Sequence, residues 1–127
     1  VIAGCMDSST QRAIENVKRF EDMGGQTAVI TPVFYARHAT QDETVQHFEQ
    51  ISRNTSANLM IYNIPPFTGQ LLTADTIIQL SKIDKIIGVK DTSGNYPLFI
   101  KLLNHFKGTD FLVHQGSTNL AVPSMLM

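Results

Sequence analysis

The sequence has one cysteine, no tryptophan and no excess of either charge: 10 Lys and Arg against 11 Asp and Glu leave a net charge of −1. Cys5 alone cannot close an internal disulfide, so the fold must stand on its core, and a reducing, cytoplasmic compartment is expected. Near-neutral charge without a basic run excludes the electrostatic footprint of a nucleic-acid or anionic-membrane surface. No apolar run reaches the roughly 18–20 residues of a membrane span, and no signal-peptide pattern is visible. There is no GxGxxG and no P-loop, so nucleotide binding has no support. The histidines His38, His47, His105 and His114 form no i,i+4 pair and no metal-binding spacing with Cys5, which leaves them surface or packing roles. Two of them, His38 and His114, fall where a site could be lined. An initiator methionine is missing too. The chain opens in strand-like "VIAG" and closes in helix-like "AVPSMLM", as expected of residues 1–127 forming one partial domain truncated at both ends.

What is present is a soluble globular composition, 43% hydrophobic and 17% charged, arranged in a long-range rhythm. Five short β-rich runs begin at residues 1, 27, 59, 86 and 111: "VIAG", "TAVIT", "LMIYN", "IIGVK" and "FLVHQ". Segments of helical period lie between them, with Ile14, Val17 and Phe20 on one stripe, Val45, Phe48 and Ile51 on another, and Ile77, Leu80 and Ile83 on a third. Ser8–Gln11 and Thr40–Glu43 have capping-box spacing, Gly24-Gly25 stops the first helix, and Pro97 after Asn95 opens another. Nearly all-apolar strands joined by helices imply a parallel sheet. An open doubly wound sheet satisfies this with five strands, and a (β/α)₈ barrel satisfies it with this chain as five of eight units.

In either architecture chemistry collects at the carboxyl ends of the strands, where the sequence places Thr31-Pro32, Tyr62-Asn63, Lys90-Asp91-Thr92 and Gln115-Gly116. Alternation puts Ile86, Gly88 and Lys90 on one face, with Gly88 leaving a gap into which the lysine could turn. A lysine against an apolar wall loses hydration as the ammonium, which favours the neutral, nucleophilic amine needed to form a Schiff base with a ketone. The plainer alternative is a lysine paired with Asp91. Tyr62 ends its strand one βα unit earlier, so the two side chains could meet, with the phenol passing a proton to and from a substrate. A core tyrosine under a Pro-rich loop is the alternative there. Thr92 shares the Lys90 face and could hydrogen-bond a substrate or a loop. Gly116 allows a close backbone approach to a ligand, or a turn.

"YNIPPFTG" (62–69) followed by "GVKDTSG" (88–94) resembles the paired signature of the dihydrodipicolinate synthase / N-acetylneuraminate lyase superfamily, the pyruvate-handling class I aldolases. The family's Schiff-base lysine falls on Lys90 and its catalytic tyrosine on Tyr62. "VIAGCMDSST" is similar to the family's third strand, with Cys5 and Met6 in place of Thr-Gly. "VITPVFYARHATQDETVQHFEQIS" is similar to the fourth strand and helix, and "HQGS" to the seventh-strand glycine. The resemblance implies a (β/α)₈ TIM barrel covered here from strand three to helix seven, a pyruvate or 2-oxo acid substrate, no metal and no other cofactor, and a homotetramer. It also implies a Gly-rich carboxylate-binding loop that these residues do not include.

Two departures bear on substrate, and a third on the proton relay. The synthase that condenses pyruvate with aspartate semialdehyde normally has an arginine where this chain has Phe67, and sialic acid lyases usually have an aromatic residue at Asn63. Both point to cleavage of a 2-keto-3-deoxy sugar acid, with the synthase and lyase activities as alternatives. The family's relay tyrosine after strand four is either lost to Phe34 or shifted to Tyr35. The competing class is a non-enzymatic receiver-like α/β module, which needs an acidic cluster at the first and third strand ends; here those ends offer only Asp7 and Tyr62-Asn63.

Overall fold

The computed structural model describes residues 1–37 and 40–126. Five strands, β1 (Ile2–Gly4), β2 (Thr27–Ile30), β3 (Asn58–Asn63), β4 (Ile86–Asp91) and β5 (Leu112–Gln115), alternate with helices α1 (Thr10–Asp22), α2 (Gln41–Asn54), α3 (Pro65–Thr68), α4 (Ala74–Leu80) and α5 (Tyr96–Phe106). A 3₁₀ turn, Thr118–Leu120, leads into α6 (Ala121–Met125). All strand pairs are parallel, and the sheet runs β1-β2-β3-β4-β5 without a reversal. That order chooses between the two architectures. Crossovers between parallel strands are right-handed, so an order that never turns back carries every helix to the same face, whereas a doubly wound sheet must reverse. The helices accordingly form one layer in which α1 touches α2, α2 touches α4 and α4 touches α5. A receiver-like module is excluded by the same strand order.

The core lies between that layer and one face of the sheet. Ile14 and Val17, Val45, Phe48 and Ile51, Ile77 and Leu80, and Leu98 and Leu102 pack on Ala28, Ile30, Leu59, Ile61 and Val89. The three helical stripes read from the sequence are therefore the buried ones. The other face holds an open cavity of about 490 Å³ lined from all five strands, including Ile2, Val29, Met60, Tyr62, Lys90 and His114. Neighbouring strands stand about 4.8 Å apart. A cavity bordered by both edge strands requires the sheet to curl around it.

Local signals mostly act where expected. Thr40 and Glu43 form a reciprocal capping box, Gly24 leaves α1 with φ +83°, and Asn95 accepts from Leu98 N at the start of α5. The cap of α1 is Ser9, not Ser8, and accepts from Arg12 N, so Gln11 is displaced from the box and donates to Glu15 instead. The Pro65-Pro66 pair does more than end β3. Its fixed φ opens the helical turn α3, which closes at Gly69 with φ +69°.

The β4 register also differs from simple alternation. Leu59 pairs with Ile86 but Met60 pairs with Gly88, so Ile87 is an extra residue. Ile86 thus faces the helices, while Gly88 and Lys90 face the cavity. Gly88 leaves no gap beneath the lysine either. A β-carbon there would lie 2.6 Å from Leu112 O and 2.7 Å from Leu112 Cβ, because β5 backbone fills the space. Gly88→Ala should therefore push β5 from β4 and cost roughly 1–3 kcal/mol in urea denaturation; an unchanged midpoint would show that the close approach is not needed.

Candidate active site

The site is built on the ends of β3 and β4, where consecutive residues point to opposite faces. On the helix side, Asn63 is fully buried and its Nδ2 donates to Asp91 Oδ1 at 2.7 Å, while Asn63 Oδ1 accepts from Leu72 N at 3.1 Å. Ser93 Oγ donates to Asp91 Oδ2 at 3.0 Å. Burial raises the Asp91 carboxyl above its ordinary range, and the bonds from Ser93 and Asn63 only partly offset that. Asn63 is thus a structural residue behind the site. The substrate preference read from it has no basis in this geometry.

On the cavity side, Tyr62 and Lys90 are register partners, and Lys90 Nζ stands 4.4 Å from the centroid of the Tyr62 ring. Lys90 takes part in none of the ion pairs among the described residues, and Asp91 is turned to the opposite face. The pairing of Lys90 with Asp91 is therefore not formed. Thr92 N donates to Asn63 O at 2.8 Å, and the Thr92 hydroxyl is buried without a partner among the described residues. Gly116 N donates to Asp91 O at 2.7 Å. A methyl group at position 116 would collide with the Thr92 hydroxyl and come within 3.1 Å of Lys90 Cε. Lys90, Tyr62, Thr92 and Gly116 are brought together at one carboxyl end.

Tyr35 is not brought in. It is 97% exposed with φ +73°, and neither it nor half-buried Phe34 lines the cavity. His38 lies outside the described residues. His47 packs on the helix side, its Nε2 donating to Thr31 O and its Nδ1 accepting from Thr10 Oγ1. His105 lies edge-on to Phe106 on α5.

Sequence reasoning named His114 as a residue that could line a site, but missed the wall and part of the rim. His114 is the register partner of Lys90 on β5 and lines the cavity; counting two residues back from Gly116 gives its face. Ile2, Val29 and Met60 supply an apolar wall. Phe67 lies on α3, 81% exposed, and Arg37 Nη1 donates to Gly69 O at 2.9 Å in the same loop. Among the described residues no three His, Cys, Asp or Glu side chains converge in a way that could hold a metal ion, and no helix is long and apolar enough to cross a membrane.

Residues 1–127 match the model of the Dihydrodipicolinate synthetase family. The chain belongs to that family. It is 34% identical over 123 residues to 4-hydroxy-tetrahydrodipicolinate synthase 1 of Halalkalibacterium halodurans, covering 97% of this chain and 41% of that protein. Among solved structures it is similar to a dihydrodipicolinate synthase from Acinetobacter baumannii complexed with pyruvate (34% identity, TM-score 0.91, 98% of this chain and 42% of that one). It is also similar to a 2-keto 3-deoxygluconate aldolase from Picrophilus torridus (31% identity, TM-score 0.89, 98% and 45%). The chain therefore spans about two-fifths of the length of these relatives, and the five in-order parallel units are a segment of the family's (β/α)₈ barrel.

The buried carboxyl behind the site gives this family member a testable pH response. Because its folded value is raised, Asp91 favours folding most below the ordinary carboxylate value, and this contribution is lost as pH rises through the raised one. Asp91→Asn keeps an acceptor for Asn63 and removes the titration. Relative to the variant, the wild-type protein should lose stability in urea denaturation as pH rises above about 4, the ordinary carboxylate value. Asp91→Ala, which leaves the Asn63 amide unpaired, should cost about 1–3 kcal/mol. Parallel wild-type and Asp91→Asn curves would mean that Asp91 does not titrate in this range.

Proposed function

We propose that this chain carries the catalytic core of a Schiff-base lyase acting on pyruvate or a related 2-oxo acid, with Lys90 as nucleophile and Tyr62 as proton carrier. The observation that carries this reading is the register pair of Tyr62 and Lys90 facing one cavity, with Nζ 4.4 Å from the ring centroid and no carboxylate paired to it among the described residues. Attack of the amine on the ketone and loss of water give a protonated imine, which withdraws electrons from the adjacent carbon and stabilises a carbanion there. The imine is itself the electron sink, so this chemistry calls for no metal or other cofactor. Tyr62 moves the proton between the substrate's oxygen or carbon and the site. The Thr92 hydroxyl and the bare backbone at Gly116 are the groups offered to the bound oxo acid. Tyr35, exposed at the rim, is suited to reach a neighbouring subunit in a homotetramer of the kind the family resemblance implies.

For the second substrate, the relatives' names favour condensation with aspartate semialdehyde over cleavage of a 2-keto-3-deoxy sugar acid. Arg37, at the same rim as Phe67, is a cation that a second carboxylate could meet. Sugar-acid cleavage keeps one specific support, the apolar Phe67 in place of the synthase's arginine, together with the likeness to the Picrophilus torridus aldolase.

The full-length protein incubated with pyruvate and borohydride should gain one covalent adduct at Lys90, and Lys90→Ala should gain none. Mass spectrometry locating the adduct elsewhere, or finding none, would sink the reading. Tyr62→Phe should still form the adduct but turn over roughly 10²–10⁴-fold more slowly; near-normal turnover would reduce Tyr62 to a packing residue. A product screen comparing both second substrates separates the two activities, since efficient cleavage without condensation selects the sugar acid.

A further inference from the structure

Formation of an imine by Lys90 needs a group that takes a proton from its ammonium, a step separate from the transfer to and from substrate that Tyr62 serves. Nζ lies over the ring of Tyr62, where the π face attracts an ammonium rather than relieving it of a proton. Attack on a carbonyl carbon requires the nitrogen lone pair, so one N–H proton has to leave first. Asp91, the nearest carboxylate in sequence, is on the opposite face and engaged by Asn63 and Ser93. No carboxylate lines the cavity among the described residues.

One base does. His114 is paired in register with Lys90 on the adjacent strand, on the same face, and lines the same cavity. Adjacent strands are about 4.8 Å apart, which places the two side chains as immediate neighbours. Beyond Lys90, Tyr62 and Gln115 the lining is apolar, with Met60, Val29 and Ile2 forming the wall. An imidazole both accepts and returns a proton near neutrality, a capacity that a filler of that wall would not require.

Building on the Schiff-base reading, we infer that His114 is a second catalytic residue, the proton shuttle for imine formation. The imidazole takes a proton from the Lys90 ammonium. The freed amine attacks the ketone carbon, the C–N bond forms, and the carbonyl electron pair moves to oxygen, which receives a proton from the Tyr62 hydroxyl while the phenolate takes the second amine proton, giving the carbinolamine. The imidazolium then gives its proton to that hydroxyl, the C–O bond breaks, water leaves, and the nitrogen lone pair completes the protonated imine. One ammonium and one ketone become one iminium and one water, and the imidazole ends as it began.

The test is the rate, not the extent, of borohydride-trapped adduct formation between pyruvate and the full-length protein. His114→Ala should reach the same final adduct at Lys90, which reports an intact site, but roughly 10²-fold more slowly. Added free imidazole should restore the rate in a concentration-dependent way in this variant and leave the wild type unmoved. His114→Phe, which fills the space, should be slow and should not be rescued. Trapping by His114→Ala at the wild-type rate, or slow trapping that imidazole does not restore, overturns the shuttle while leaving Lys90 as nucleophile. Absence of any adduct in the wild-type protein overturns the Schiff-base reading itself, and the shuttle with it.

Discussion

The hydrogen bond from the Asn63 amide to the buried Asp91 carboxylate is the constraint on which the site depends. It ties the ends of β3 and β4 on the helix side, and Leu72 N and Ser93 Oγ secure its two partners in turn. Because a strand alternates faces, locking 63 against 91 behind the sheet also sets 62 against 90 in front of it. A slip of one residue would turn Tyr62 and Lys90 into the helix layer and bring a carboxylate into the cavity. The extra residue Ile87 contributes to the same end, since it shifts the register so that Gly88, not Ile87, faces Met60.

The arrangement separates charges that the sequence sets side by side. Asp91 follows Lys90 directly, yet its carboxylate is held in the core and kept from the amine. On the cavity side, the polar residues that line the space with Lys90 are Tyr62, His114 and Gln115, set against an apolar wall. Gly116 preserves the space, because any side chain there would strike Thr92 and crowd Lys90.

Much of this was legible before any coordinates. The spacing of the five apolar runs gave the five strands, the stripes on α1, α2 and α4 gave the buried helix faces, and Thr40–Glu43 gave a true capping box. Topology was not legible from periodicity, since strand order is a property of non-local pairing; the motifs around Tyr62 and Lys90 supplied it by resemblance. The errors share one origin, the assumption of ideal geometry. Simple alternation placed Ile86 beside Lys90 because nothing local marks Ile87 as the extra residue. Gly88 was read as open space, although a glycine in a strand also marks close approach of a neighbouring backbone. Asn63 was read as part of the substrate pattern, although it belongs to the face that alternation sends into the core.

Reaction type and substrate differ in legibility for a physical reason. Lys90 and Tyr62 sit on central strands, each hydrogen-bonded to a neighbour on both sides, so a short motif and the period of two suffice to place them. The groups at the rim sit on connections whose positions come from contacts distant in sequence. Arg37 reaches Gly69 O, Gln41 reaches Leu71 O and Thr73 N, and Gln70 reaches Thr44 Oγ1. These bonds bind the segment after β2 to the segment after β3, and together they fix how Arg37 and the turn that carries Phe67 stand relative to one another. Phe67 in place of an arginine therefore cannot be weighed alone, because the neighbouring connection brings the Arg37 guanidinium to the same turn, at Gly69 O. Strand positions follow from a local period of two, and loop positions from bonds between segments distant in sequence.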